Sequence, residues 1–195
     1  MVAALKGGVG KTTTSVYLSA VTAGSRRPTT LVDADPQASA ADWLELGEDE
    51  VLEEVTLVEA PTDRLLLKTL DRVDDDAVVV VDTPPGQERL LAKAIERSNA
   101  VVIPTRVGGV ETPRVEAVLD MVPAKTPVGL VICSARTYTR DYQEMVDAWS
   151  EANVDVWGSV AERVAIASGP QSWLSGDGLE AYRSVWRRIQ RETRS

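Results

Sequence analysis

The sequence predicts an α/β fold: one doubly wound, mostly parallel sheet with helices on both faces. Three observations carry that expectation. Short runs rich in valine and isoleucine alternate with stretches of helical spacing along the chain. One of them, Ala77–Val81, is apolar at every position, as a strand buried on both faces requires. Finally, a glycine-rich loop and two aspartate clusters follow directly on such runs, and the carboxyl ends of parallel strands are where open α/β sheets place ligands.

Taken in order, Val2–Ala4 is the first short strand, residues 6–13 form a loop, and a helix runs from Thr12 to Ala23, ending at Gly24. Thr29–Val32 is the second strand and closes on Asp33-Ala34-Asp35-Pro36-Gln37. A short helix over Ala38–Glu45 precedes the acidic stretch Glu48–Glu54. Then come strand Leu57–Ala60, helix Asp63–Arg72 and the apolar strand Ala77–Val81, which ends in Asp82-Thr83-Pro84-Pro85-Gly86. Helix Gln87–Ser98, strand Ala100–Ile103, helix Glu111–Val122, strand Val128–Ile132, helix Asp141–Ala152 and a last strand over Val154–Val156 continue the alternation. The pattern shows neither an internal repeat nor a domain-scale linker, so residues 1–195 are expected to form a single domain.

The stretch Lys6-Gly7-Gly8-Val9-Gly10-Lys11-Thr12-Thr13 has the chemistry of a phosphate-binding loop, which places the fold among P-loop NTPases. Glycines let backbone N–H groups turn inward and approach phosphate oxygens, and the helix that follows adds unpaired donors and the positive end of its dipole. Lys11 is placed to reach the β- and γ-phosphates, and the Thr12 hydroxyl to ligate Mg²⁺. The usual pattern opens on glycine, where this chain has Leu5 followed by a lysine, Lys6. A second cation beside Lys11 is costly unless it meets an anion. Asp82, closing an apolar strand, is the carboxylate expected to hold Mg²⁺ opposite Thr12. Asp33 and Asp35 are two apart on an extended chain, so both point the same way, toward the site.

These residues resemble the deviant Walker A motif of the ParA/MinD family of ATPases, and Asp82-Thr83-Pro84-Pro85 and Asp33-Ala34-Asp35-Pro36-Gln37 resemble that family's other signatures. The resemblance is strongest over 6–37 and 78–86 and implies a homodimer sandwiching two ATP molecules, with Lys6 crossing to the partner's nucleotide. It implies that Lys6, Lys11 and Asp35 are catalytic, with Asp35 orienting the attacking water, and that Asp33 supports the magnesium shell around Thr12 and Asp82. It further implies slow, partner-stimulated hydrolysis, a ParB-like centromere-binding partner, non-specific DNA as a second ligand, and a cytoplasmic, nucleoid-associated protein. Relatives often carry an asparagine at the adenine where this chain has Cys133 and Ser134; Cys133 is expected to be a small buried filler. The segment Trp157–Arg163 resembles the one that runs over the nucleotide, making Arg163 a candidate DNA contact.

Composition constrains the alternatives. The chain carries a formal net charge of −9, no histidine and one cysteine, which excludes histidine acid–base chemistry, an internal disulfide and a cysteine zinc cluster. An acidic total still permits a local basic surface. Leu179–Arg194 supplies one: apolar Leu179, Tyr182, Val185, Trp186 and Ile189 recur at helical spacing, against Arg183, Arg187, Arg188, Arg191 and Arg194 on the other face. Arg183, Arg187 and Arg188 are therefore candidate DNA contacts through phosphates alone. Because no helix-turn-helix precedes the loop, sequence-specific operator binding is not expected. Two alternatives stand beside the partition reading. A MinD-like membrane-cycling ATPase would use the last helix on a lipid surface, although no stable membrane association is expected; a metabolic relative would need a second-substrate site, for which no motif is present.

Overall fold

The computed structural model describes residues 1–74, 76–109, 111–167, 169–171, 174 and 176–194. In chain order the elements are α1 (Lys11–Ala23), β1 (Thr29–Asp33), α2 (Ser39–Leu46), α3 (Glu50–Glu53), β2 (Val55–Glu59), α4 (Asp63–Leu70) and β3 (Val78–Asp82). They continue with α5 (Glu88–Ile95), β4 (Val101–Thr105), α6 (Thr112–Leu119), β5 (Val128–Ala135), α7 (Arg140–Glu151), β6 (Val156–Ala161), α8 (Val164–Ala167) and α9 (Gly176–Glu192). The predicted alternation of strands and helices is present.

Two parallel sets, β2-β1-β3 and β4-β5-β6, are joined by the first residues of the chain. Val2 bridges Asp82 on one side and Val102 on the other, both in parallel. Its N–H donates to the Val81 carbonyl at 3.0 Å, and the Ala3 N–H to the Val102 carbonyl at 2.9 Å. The strand expected over Val2–Ala4 thus contracts to a single bridging residue, because the chain turns into the loop from Leu5. The order places this start at the centre. From there the chain moves out to β1 and β2, returns to β3 and then crosses to β4, which is the topological switch where doubly wound folds bind ligands.

Side chains alternate across the sheet with the period of two that strands impose. Leu31, Val80, Val102 and Val131 face a cluster with Tyr17, Trp43, Leu52, Tyr182 and Val185, from α1, α2, α3 and α9. Val32 and Val81 face Leu66, Leu90 and Ala94 from α4 and α5, while Val101, Ile103 and Leu130 face Ile95, Val115, Val118 and Trp149 from α5, α6 and α7. Helices therefore cover both faces. Helix α1 is buried almost all round, and two of its hydroxyls turn back on their own helix to be satisfied: Ser19 donates to the Ser15 carbonyl at 2.8 Å and Thr22 to the Leu18 carbonyl at 3.1 Å.

Two expectations are corrected at the far edge. The last strand, expected over Val154–Val156, starts only at Val156 and runs on to Ala161. Asn153 takes a left-handed φ of 57° and the Val154 N–H returns to the Trp149 carbonyl at 2.9 Å, so Val154 closes the C-terminal cap of α7. Of the segment Trp157–Arg163, the residues to Ala161 lie in edge strand β6 with Trp157 buried, so they pair with β5; only Glu162 and Arg163 lie beyond the strand.

Candidate nucleotide site

The loop leaves the sheet at its centre and enters α1 at once. Gly8 and Gly10 have φ of 75° and 104°, values that a Cβ disfavours, and Gly10 is the N-cap of α1. Its Cα also packs directly on the cysteine: a Cβ there would lie 2.9 Å from Cys133 Sγ. Cys133 is buried and inert in this position, with burial pushing its thiol above the usual value. Ser134 is exposed, at φ 51° in the irregular end of β5.

Three acidic residues converge on this edge. Asp33 and Asp82 are register partners on adjacent strands, both 1% exposed. Asp82 Oδ2 accepts from the Thr12 hydroxyl at 2.8 Å and Oδ1 from the Ser15 hydroxyl at 3.0 Å. Burial raises the Asp82 carboxyl to about 6; the Thr12 hydroxyl opposes this, the Asp33 charge adds to it, and the Ser15 hydroxyl and Lys11 oppose it. Asp33 is engaged differently. Its Oδ1 accepts from the Asp35 N–H at 3.0 Å, and its Oδ2 from the N–H groups of Ala40 and Ala41 at 2.9 and 3.0 Å. It fastens the first turn of α2 to the end of β1, with its carboxyl raised by burial against those three bonds. Asp35 is half-buried, and its Oδ1 accepts from the Gln37 N–H at 2.9 Å.

The two lysines make contacts inside the protein. Lys11 is 7% exposed, and its ammonium donates to the Lys6 carbonyl at 2.9 Å. Burial lowers its pKa, against the pull of Asp82 and Asp35. Lys6 forms an ion pair with Glu111, the N-cap residue of α6. Thr83 Oγ1 donates to the Val2 carbonyl at 2.9 Å, tying the Asp82-Thr83-Pro84-Pro85 turn to the central strand.

The donor set fits a magnesium nucleotide. A buried ammonium resting on a backbone carbonyl lacks a phosphate-strength anion, and Gly7 and Gly8 face open space on their Cβ side. Thr12 and Asp82 offer hard oxygen ligands to an ion that keeps most of its coordination for water and phosphate. Among the described residues no cluster of three or more histidine, cysteine, aspartate or glutamate side chains offers a cage instead. The structure thus brings together Lys6, Gly7, Gly8, Val9, Gly10, Lys11, Thr12, Thr13, Asp33, Asp35 and Asp82 at one edge.

The model of the CobQ/CobB/MinD/ParA nucleotide-binding domain matches residues 1–172. The chain belongs to that family. It is 38% identical over 107 residues to the protein ParA of Rhizobium radiobacter, a match covering 54% of this chain and 47% of that protein. The chain therefore spans about half the length of this curated relative. A putative plasmid partition protein of Borrelia burgdorferi, solved bound to AMPPNP, superposes with a TM-score of 0.77 at 19% identity, covering 98% of this chain and 97% of that one. The septum site-determining protein MinD of Pyrococcus horikoshii, solved with Mg-ADP, gives 0.76 at 18% identity, covering 96% and 93%. Both superpositions establish the ParA/MinD-like P-loop fold, as the loop and strand-end aspartates predicted.

The arginines singled out for DNA lie elsewhere. Arg183 and Arg187 pair with Glu180 at 3.3 and 3.1 Å, Arg188 with Asp155 at 2.6 Å and Glu192 at 3.0 Å, and Arg163 with Asp177 at 2.9 Å. The pairs of Arg163, Arg183 and Arg187 are exposed, whereas Arg188 is half-buried. Sequence reasoning missed Ser15, which a helix face shared with Thr12 at i+3 signals. It also missed Glu111, which sits 105 residues from Lys6 and carries no local signal.

Proposed function

We propose that this chain is a ParA-like partition ATPase: ATP and Mg²⁺ binding drives a sandwich homodimer that holds non-specific DNA, and partner-stimulated hydrolysis to ADP and phosphate releases it. The observation that carries this reading is the pair Lys6 and Lys11 at the two ends of one glycine loop, beside the Thr12–Asp82 contact. Lys11 would bind the β- and γ-phosphates, and the loop N–H groups would orient the chain of phosphates. Thr12 and Asp82 would hold magnesium, which when bound neutralises charge developing on the phosphoryl oxygens. Asp33, whose oxygens accept three backbone bonds, braces the strand end on which Asp35 sits. Asp35 is then the carboxylate left to orient the attacking water. Its second oxygen has no role in the Gln37 turn, and its charge acts on Lys11. Lys6, serving the nucleotide of a second copy, makes turnover depend on dimer formation.

The surface of α9 supports DNA over membrane. Tyr182 and Val185 are fully buried against the α1 side of the sheet, with Leu179, Trp186 and Ile189 packed around them, so the apolar stripe is spent on the core. Among the described residues no helix is long and apolar enough to cross a membrane. The pairs of Arg183 and Arg187 on its outer face are exposed, and such pairs contribute about 0–1 kcal/mol each, so exchanging a carboxylate for a DNA phosphate costs little. A ParB-like protein would be the stimulating partner, and the nucleoid the place of action.

The test is binding to non-specific duplex DNA under ATP, ADP or no nucleotide, at two salt concentrations. Binding that requires ATP and falls steeply with salt supports the reading. ATP-dependent dimers that bind no DNA, but pellet with anionic vesicles, would replace it with a membrane-cycling ATPase.

A further inference from the structure

We propose that Glu111 is a positioning residue for Lys6: in the nucleotide-free chain its carboxylate holds the Lys6 ammonium, and Lys6 reaches a nucleotide only when this ion pair opens. That the nucleotide belongs to a second copy rests on the reading given above.

Three features make the contact a latch. First, the carboxylate is shielded: the Glu111 side chain is 10% exposed against 39% for Lys6, so the attraction is screened less than in the pairs that Arg183 and Arg187 make with Glu180 on α9. Second, residue 6 is held twice, since its carbonyl accepts the Lys11 ammonium. A phosphate that draws Lys11 away removes that bond, so one event loosens the backbone of Lys6 and brings an anion competing for its side chain. Third, Glu111 can release the lysine without unfolding. Its N–H donates to the Gly108 carbonyl at 3.2 Å and its carbonyl accepts from Arg114 and Val115 at 3.0 and 3.1 Å, so the backbone stays fixed while the side chain turns. A carboxylate at the start of α6 is stabilised there with or without the lysine. The hydroxyl of Thr105, a residue 1% exposed, has no hydrogen-bond partner among the described residues, lines the same small recess as Lys6 and Glu111 and offers the freed carboxylate a donor.

The latch has a function that an ordinary ion pair does not. A lysine held at home cannot pair with ADP or with stray anions, so the dimer-forming contact is reserved for a nucleotide that first engages Lys11. Removing the carboxylate while keeping its shape should lower the threshold for ATP without touching the loop.

The experiment compares wild type with Glu111→Gln. Lys6 labelling by an amine-reactive ester, read by mass spectrometry in the nucleotide-free chain, is expected to rise at least about threefold in Glu111→Gln, with exposed Lys125 unchanged as the internal reference. The ATP concentration for half-dimerisation, by sedimentation velocity, is expected to fall by about threefold or more, while Mg-ADP affinity of the monomer stays within about twofold. In a Lys6→Ala background the Glu111→Gln effect on dimerisation should vanish, which a merely structural role would not produce. Equal Lys6 labelling in the two proteins overturns the latch whatever the dimer does. Faster labelling with no dimer under ATP in either protein keeps the latch and overturns the dimer reading. Should Glu111→Gln fold poorly, Glu111→Asp, one methylene shorter, answers the same question: labelling unchanged from wild type overturns the latch.

Discussion

The loop edge and the outer face of α9 carry similar side chains in opposite physical settings. At the loop, Lys11, Asp33 and Asp82 are buried and each has a defined partner, so every contact is fixed by the fold. On α9, Arg183 and Arg187 share one glutamate, and all three are more than half exposed. The difference teaches where a charge acquires a role. A buried ion must be matched by particular atoms, whereas an exposed one accepts whatever anion the surroundings supply. The loop is therefore a site for one ligand class, and α9 a surface whose partner is set by context.

Substitutions can break that contrast, and the largest effect belongs to the loop. Lys11→Ala is expected to weaken Mg-ATP by about 100-fold or more, measured by calorimetry, because a buried charge-assisted contact to phosphate is lost. Asp82→Asn should abolish the magnesium dependence of nucleotide binding yet stabilise the nucleotide-free chain by about 1–3 kcal/mol at pH 7.5, read by denaturant unfolding. The sign follows from the raised carboxyl. With a folded value of about 6 against the usual 3.8, the contribution is fully present below 3.8 and is lost as pH rises through about 6, and Asp82→Asn flattens that limb.

Smaller effects sharpen the comparison. Asp35→Ala is expected to cut ATP turnover by about tenfold or more in a phosphate-release assay while Mg-ATP affinity changes by less than about threefold, since Asp35 faces the loop without bonding it. Tyr182→Phe removes the 2.9 Å hydrogen bond to Thr14 from the interface of α9 and α1 and should cost about 1 kcal/mol in unfolding free energy. Arg187→Ala should change stability by less than about 0.5 kcal/mol, and if the face holds DNA it should reduce the salt dependence of binding by close to one phosphate contact.

The same contrast explains what was legible in the sequence. Glycines at Gly8 and Gly10, Lys11, Thr12 and the aspartates at strand ends are residues that few other arrangements tolerate, so their spacing alone announced the site. The sheet was legible because runs such as residues 78–81 are apolar at every position, so no polar residue blurs the pattern. Element ends were less so: Val154 has the side chain of a strand residue, but the left-handed Asn153 turns its N–H back to cap α7. The role of Asp33 as a brace for α2, and the pairing of Lys6 with Glu111, depend on contacts between separate segments that no local pattern records. The arginines of α9 were legible as a basic face, but not the carboxylates of Asp155 and Asp177 that answer Arg188 and Arg163 from other elements.

The most direct measurement is calorimetric titration of ATP into the chain with and without Mg²⁺, run in parallel on Lys11→Ala. One nucleotide per chain, tighter with Mg²⁺ and lost in Lys11→Ala, is the predicted result. Binding that ignores both the metal and Lys11, or no binding by the wild-type chain, would contradict a nucleotide site at this edge of the sheet.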